Sequence, residues 1–238
     1  MLKLIAFDLD GTLTQHRTRL EEKNKKLLDL LRKKYKLLMV GAGGCKRIHG
    51  QMNNYPIDII GNYGLQYAEY QDGELKIVRD SNIECDRESV RERVEELRKR
   101  FGFESYVGES VEFHPSGSIT FAILGTEADI SDKLNFDPDK SKRKKIYREV
   151  CDVFSEYTVF IGGSSSFDIV PKPYDKYYAL SEYCREKGIL HSEVLFVGDD
   201  FGEGGNDEAV YKSDFRFQKI ESYLDTADTL NYLCAEDI

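Results

Sequence analysis

The sequence predicts an α/β protein, with a parallel-sheet core interrupted by an inserted α+β cap domain. Three observations predict it. Short apolar runs alternate with helix-period stretches toward both ends of the chain, the pattern of a parallel sheet covered by its crossover helices. The middle carries period-two segments instead, as antiparallel strands with one wet face do. Two of the outer apolar runs stop at acidic turns, Asp8-Leu9-Asp10-Gly11-Thr12 and Gly198-Asp199-Asp200, and open α/β sheets bind ligands at such strand ends.

In chain order, residues 4–7 read as a short buried strand, and Leu20, Leu27, Leu28 and Leu31 mark one face of a helix. Residues 36–40 form a second strand, stopped by Gly41-Ala42-Gly43-Gly44, and residues 57–60 a third. Residues 65–70 and 74–78 pair as a hairpin through Gln71-Asp72-Gly73. Val90, Val94, Leu97 and Phe101 then recur at helical spacing, with Asp86 as N-cap and Gly102 as stop. Residues 111–113 and 119–123 alternate at period two around Pro115-Ser116-Gly117. A lysine-rich helix carries Ile146, Val150 and Phe154, its cluster at residues 140–145 read as a solvated helix start. Strands at 157–161 and 167–170 follow, then a helix at 177–187, a strand at 194–197 and a helix from Asn206. A strand at 215–218 and a terminal helix including Leu224 and Leu230 close the chain. The core is thus expected at residues 1–80 and 172–238, and the cap at 81–171.

A net charge of −9 argues against a nucleic-acid partner, which calls for a basic footprint. It leaves room for a small phosphorylated ligand, since a metal ion and a few cations dominate the field of one pocket. Five dispersed cysteines, with no Cys-x-x-Cys pair, suggest neither a disulfide framework nor a zinc site. No apolar run approaches the roughly 18 residues of a membrane span, and the start lacks the basic segment and apolar stretch of a signal peptide. The expectation is a cytoplasmic protein in a reducing compartment, with no membrane partner.

Asp8 and Asp10, two positions apart at a strand end, repel each other unless a cation or a proton intervenes. Asp199, Asp200 and Asp207, the last in Gly204-Gly205-Asn206-Asp207, add hard oxygen donors at another strand end. Such a set suits Mg²⁺, with coordination positions left for water and phosphate.

The chain resembles a known family. Asp8-Leu9-Asp10-Gly11-Thr12, Lys176 after Pro171, and Gly198-Asp199 with Asn206-Asp207 are similar to the ordered motifs of the haloacid dehalogenase superfamily. The longer resemblance is to eukaryotic-type phosphomannomutases within it. It runs through Phe7 to Thr14, Asn62-Tyr63-Gly64-Leu65, Gly162-Gly163-Ser164-Ser165-Ser166-Phe167-Asp168, Asp175-Lys176 and Gly204 to Asp207. It implies a Rossmann-like core with Asp8 as nucleophile forming an aspartyl-phosphate, and Asp10 as general acid and base. It further implies Mg²⁺ held by Asp8, the Asp10 carbonyl, Asp199 and Asp207, with Asp200 or Asn206 in support. Thr12, Gly43, Gly44, Lys176 and Asn206 would serve the phosphate; Arg17, Ser166 and Asp168 would contact the sugar. Cap-mediated dimers occur in the family, so a homodimer is an open option.

Two departures stand out. Gly43 occupies the place of the superfamily's serine or threonine hydroxyl, and removing one transition-state donor typically lowers rate about 10²–10³-fold. In the cap, His114, Thr126 and Lys133 stand where phosphomannomutases carry arginines that grip the second phosphate. A mutase must hold a bisphosphate and a phosphatase need not, so the expectation is a phosphatase of a small sugar phosphate. Phosphomannomutase activity is the first alternative, and sugar-phosphate binding with little catalysis the second.

Overall fold

The computed structural model describes residues 1–234. The chain packs as two units, each with its own core. One comprises Met1–Asp80, Lys176–Gly202 and the chain from Asp207 on; the other comprises Ser81–Asp175 and Glu203–Asn206. The return to the first unit at Lys176 comes four residues after the expected boundary, and the excursion at Glu203–Asn206 was not anticipated. Residues 235–238 of the expected core lie outside the described residues.

Strands β1 (Leu4–Phe7), β2 (Lys36–Val40), β3 (Asp58–Gly61), β4 (Gln66–Gln71) and β5 (Glu74–Asp80) come first along the chain. β6 (Val111–Phe113), β7 (Ile119–Ala122), β8 (Tyr157–Phe160) and β9 (Ser166–Pro171) belong to the second unit, and β10 (Val194–Gly198) and β11 (Arg216–Lys219) to the first. The first unit's sheet runs β11-β10-β1-β2-β3-β4-β5. Neighbours from β11 to β3 are parallel, and β4 and β5 are antiparallel. The α/β reading is borne out. β1 and β10 are buried along their whole length, as central parallel strands covered on both faces must be. Ile5, Phe7, Leu195 and Val197 share a core with Leu27, Leu28 and Leu31 of α1 (Glu22–Leu31). Leu4, Ala6, Val194 and Phe196 pack with Leu180 and Tyr183 of α6 (Lys176–Lys187). Successive strand residues therefore feed opposite layers, the doubly wound arrangement. The β4–β5 turn places Asp72 and Gly73 at φ +55° and +85°, the left-handed pair that matches strand twist in a tight hairpin.

The second unit is a four-stranded antiparallel sheet, β6-β7-β9-β8, with α3 (Arg87–Phe101), α4 (Ile130–Phe136) and α5 (Ser141–Val153). Val90, Val94 and Leu97 of α3 meet Ile146 and Val150 of α5 and the sheet's Phe121, Phe167 and Ile169 in one core. α3 starts and stops where the sequence indicated. The Asp86 side chain accepts from the Ser89 amide, and Gly102 ends the helix at φ +72°.

α5 is capped from a distance. Asp137 accepts from the Lys142 amide at 2.9 Å and the Arg143 amide at 3.1 Å. It also pairs with Arg143 Nε at 2.8 Å, both side chains buried. Arg143 reaches on to the carbonyls of Gly162, Gly163 and Ser166. Burial pushes the Asp137 carboxyl up, but these donors outweigh it and hold the group below its ordinary 3.8. A carboxyl depressed in the folded state stabilises above its unfolded value and loses that contribution as pH falls through its folded value. Asp137→Asn therefore destabilises the protein by about 3–5 kcal/mol at neutral pH, because it strands a buried guanidinium. The gap to wild type narrows below pH 3.8. Circular-dichroism melts at several pH values check this, and co-melting at pH 7 would refute it.

Three elements differ from the sequence reading. α2 (Cys45–Gln51) follows the glycine turn, which the sequence allows to lead into a helix N-terminus without giving the helix a range: it is short, carries Gly50, and buries only Cys45, Ile48 and Gln51. α4 buries no residue, so it leaves no periodic stripe to read. The expected terminal helix shrinks to α8 (Thr226–Thr229); Leu224 lies exposed before it and Leu230 buried after it. The helix expected from Asn206 is α7 (Glu208–Tyr211), with Asp207 at its N-cap. Among the described residues no helix is long and apolar enough to cross a membrane.

Candidate active site

Parallel pairing of β1 with β10 sets Phe7 opposite Val197, so Asp8 and Asp199 leave neighbouring strand ends one and two residues later. The carboxylates of Asp8, Asp199 and Asp207 each offer an oxygen within 4.8 Å of the others. Lys176, the first residue of α6 and fully buried, donates to Asp8 and, at 2.7 Å, to Asp207 Oδ1. Asp207 Oδ2 accepts from the Asp200 amide at 3.1 Å, and Thr12 donates to Asp199 Oδ1 at 2.8 Å. Gly11 is required here: it lies at φ +100°, and a Cβ would sit 2.3 Å from Asp199 Oδ2.

Three carboxylates against one ammonium leave excess negative charge in a buried place. Burial lifts the Asp8 carboxyl well above the ordinary range; Lys176 opposes this, and Asp207 and Asp199 add to it. Asp199 is pushed up to about 6, by burial first and by Asp207 next, against the hydrogen bond from Thr12. Burial disfavours charge on Lys176, but Asp207 and Asp8 outweigh it and keep the ammonium above its usual range. Converging hard oxygen donors with unbalanced charge fit a hard divalent cation.

The Asp10 carboxylate is engaged elsewhere. Its Oδ1 accepts from Gln51 Nε2 at 2.6 Å and from the Arg17 amide at 2.7 Å, and Arg47 Nη1 stands 3.8 Å from Oδ2. Gln51 also donates to Thr14 Oγ1 at 3.0 Å and accepts from Arg47 at 2.9 Å. Arg17 itself is exposed at φ +58°, so its backbone rather than its side chain is tied to Asp10.

Gly43 and Gly44 form the turn between β2 and α2. That turn is pinned by Asn62 N to Gly43 O and by the Cys45 amide to Gln66 Oε1 at 2.7 Å. The Cys45 thiol is buried and pushed up to about 12 by that burial, which leaves it inert as a nucleophile.

In the second unit, Ser166 and Asp168 lie two apart on β9, opposite Ala122 and Thr120, and so share a face. Ser166 Oγ donates to Gly162 O at 3.1 Å. His114 Nε2 is 2.9 Å from Thr120 Oγ1, and Lys133 donates to the Thr126 carbonyl at 2.8 Å. Asn206 sits half-buried in the turn directly before Asp207.

A sequence model described as "Eukaryotic phosphomannomutase" matches residues 24–235. The chain belongs to the eukaryotic phosphomannomutase family. Among its relatives are the phosphomannomutase of Encephalitozoon cuniculi, 27% identical over 231 residues (87% of this chain, 84% of the relative), and that of Saccharomyces cerevisiae, 26% identical over 245 residues (97% and 93%). Solved structures with the same fold include an IMP-nucleotidase of Plasmodium falciparum, at a TM-score of 0.68 and 17% identity (98% of this chain, 68% of that one). A Streptococcus mutans protein aligns at a TM-score of 0.65 and 13% identity (99% and 100%). Membership makes the chain an enzyme of the haloacid dehalogenase phosphoryl-transfer kind.

Within this phosphomannomutase-family chain, sequence reasoning missed Arg47 and Gln51. The signal existed: the two are four apart, one helical turn, so recognising α2 would have set them on one face beside the Gly43 turn.

Proposed function

We propose that the chain is a Mg²⁺-dependent phosphatase acting on a sugar phosphate or similar small phosphomonoester. The observation that carries the reading is the cluster of buried Asp8 and Asp207 with half-buried Asp199, two of whose carboxylates Lys176 pairs with. Asp8 would attack phosphorus, forming an Asp8–phosphorus bond as the ester oxygen leaves. Asp10, held by Gln51 and the Arg17 amide, would give that oxygen a proton and later take one from the attacking water. Lys176 would keep Asp8 oriented and balance charge on the phosphoryl oxygens. Asp8, the Asp10 carbonyl, Asp199 and Asp207 would hold Mg²⁺, whose charge would offset the repulsion between nucleophile and phosphate. Arg17, Ser166 and Asp168 are carried over from the family as sugar contacts, and Thr12, Gly43, Gly44 and Asn206, with Lys176, as phosphate contacts. Five unpaired cysteines suit a reducing cytoplasm.

Hydrolysis is favoured over isomerisation because His114, Thr126 and Lys133 lack the arginine forks that grip a second phosphate. Lys133 is, besides, engaged with the Thr126 carbonyl. The second reading, phosphomannomutase activity, draws on the family match across residues 24–235.

The test is incubation with Mg²⁺, a hexose 1-phosphate and a hexose bisphosphate. Orthophosphate release that stops when EDTA strips the metal is the expected result. Isomerised ester without phosphate release would replace the phosphatase with a mutase. No turnover, with a ligand-raised melting temperature, would leave only a binding protein.

A further inference from the structure

Gly43 lacks the hydroxyl expected beside the nucleophile, yet the space a side chain would fill there is occupied. A Cβ built on Gly43 would lie 2.0 Å from Arg47 Nη2 and 2.4 Å from both its Nε and Cζ. A side chain at residue 43 and this arginine pose exclude each other. We infer that Arg47 takes over the role of the missing hydroxyl, binding the phosphoryl group that Asp8 accepts.

Four observations carry the inference, which rests on the phosphoryl-transfer reading of the Asp8 centre. First, the guanidinium is anchored at one nitrogen: Nη1 donates to Gln51 Oε1 at 2.9 Å and faces Asp10 Oδ2 at 3.8 Å. Second, the atoms over Gly43 are Nη2 and Nε, the pair that forms the parallel two-donor fork for a phosphate or carboxylate. Among the described residues no hydrogen bond of these two atoms is present. Third, the side chain is 47% exposed, so an incoming anion can reach it. Fourth, β2 pairs in parallel with β1, with Met39 opposite Phe7, so the Gly43 turn leaves the sheet beside the loop that carries Asp8 and Asp10.

Arginine does more here than a hydroxyl would. A serine gives one neutral hydrogen bond, whereas the fork gives two charge-assisted bonds and a full positive charge. It adds that charge where the acidic side chains outnumber Lys176. Gln51 links the two functions, holding Arg47 with its carbonyl and Asp10 with its amide. The bland alternative is that Arg47 only braces Gln51 and Asp10.

A substitution cycle separates the two. Arg47→Ala lowers kcat/KM for a phosphomonoester by about 10²–10³-fold, the loss of one transition-state donor, and weakens inhibition by inorganic phosphate at least about tenfold. In that background the space over Gly43 is clear, so Arg47→Ala/Gly43→Ser regains at least about tenfold of the lost rate. Arg47 is half exposed, so both variants melt with wild type. An active wild type whose Arg47→Ala variant keeps its rate and its phosphate affinity would overturn the inference alone. A loss that Gly43→Ser leaves unrelieved would assign Arg47 to bracing Asp10 and overturn it too. An inactive wild type would instead sink the phosphoryl-transfer reading itself.

Discussion

Asp8→Asn abolishes turnover, by about 10⁴-fold or more, while the protein stays folded. Loss of a covalent nucleophile is among the largest effects single substitutions produce. The change keeps shape and keeps an oxygen to accept from Lys176, which donates to Asp8 in the wild-type chain. What it removes is the anionic oxygen that the proposed mechanism sends to attack phosphorus. Acid-quenched wild type incubated with radiolabelled substrate retains a hydroxylamine-labile phosphoryl label, and the variant retains none. Wild-type rates in the variant, or a label that persists in it, would remove Asp8 from the nucleophile's role.

Lys176→Met affects folding and chemistry together. The ammonium is fully buried and bridges Asp8 and Asp207. Methionine replaces the stem but leaves two buried carboxylates without their cation. Breaking a buried pair in this way destabilises by about 3–5 kcal/mol. Under the proposed mechanism, loss of the positive charge beside Asp8 lowers the rate by a further 10²–10³-fold or so. Added Mg²⁺ raises the variant's melting temperature more than the wild type's, since a cation among the same carboxylates makes up part of the missing charge. Calorimetry with and without the metal measures both effects. Equal melting temperatures for variant and wild type would show that Lys176 does not hold these acids together.

Lys176 and Arg47 show how differently two cations of one sheet end can be read from a sequence. Lys176 follows Asp175 at a helix start in a stretch that resembles the family, so its motif pointed to it. Arg47 lies in a seven-residue helix with a glycine near its end, where local propensity is weak and the apolar stripe is only Cys45, Ile48 and Met52. The same weakness hid Gln51 and with it the anchor of the Asp10 carboxylate. Gly43 was legible as a departure but not in its consequence, because glycine in a sequence says nothing about what enters the space it leaves. The Asp137–Arg143 strut was also invisible, since a lysine-rich helix start reads as solvated until its arginine is found buried beneath it.

The sequence by itself determined the layered α/β class and placed the strand ends to within one or two residues. Four- and five-residue apolar runs alternating with helical stretches suit the centre of a covered parallel sheet, and acids placed after them then emerge at its rim. Only the tertiary structure decided which side chains meet there. The meeting of Asp8, Asp199, Asp207 and Lys176, drawn from positions up to 199 residues apart, depends on strand register. The filling of Gly43's space by Arg47 depends on the angle at which a short helix leaves its turn. Both are set by packing, which is why the sequence reached the first only through the resemblance of its motifs and did not reach the second at all.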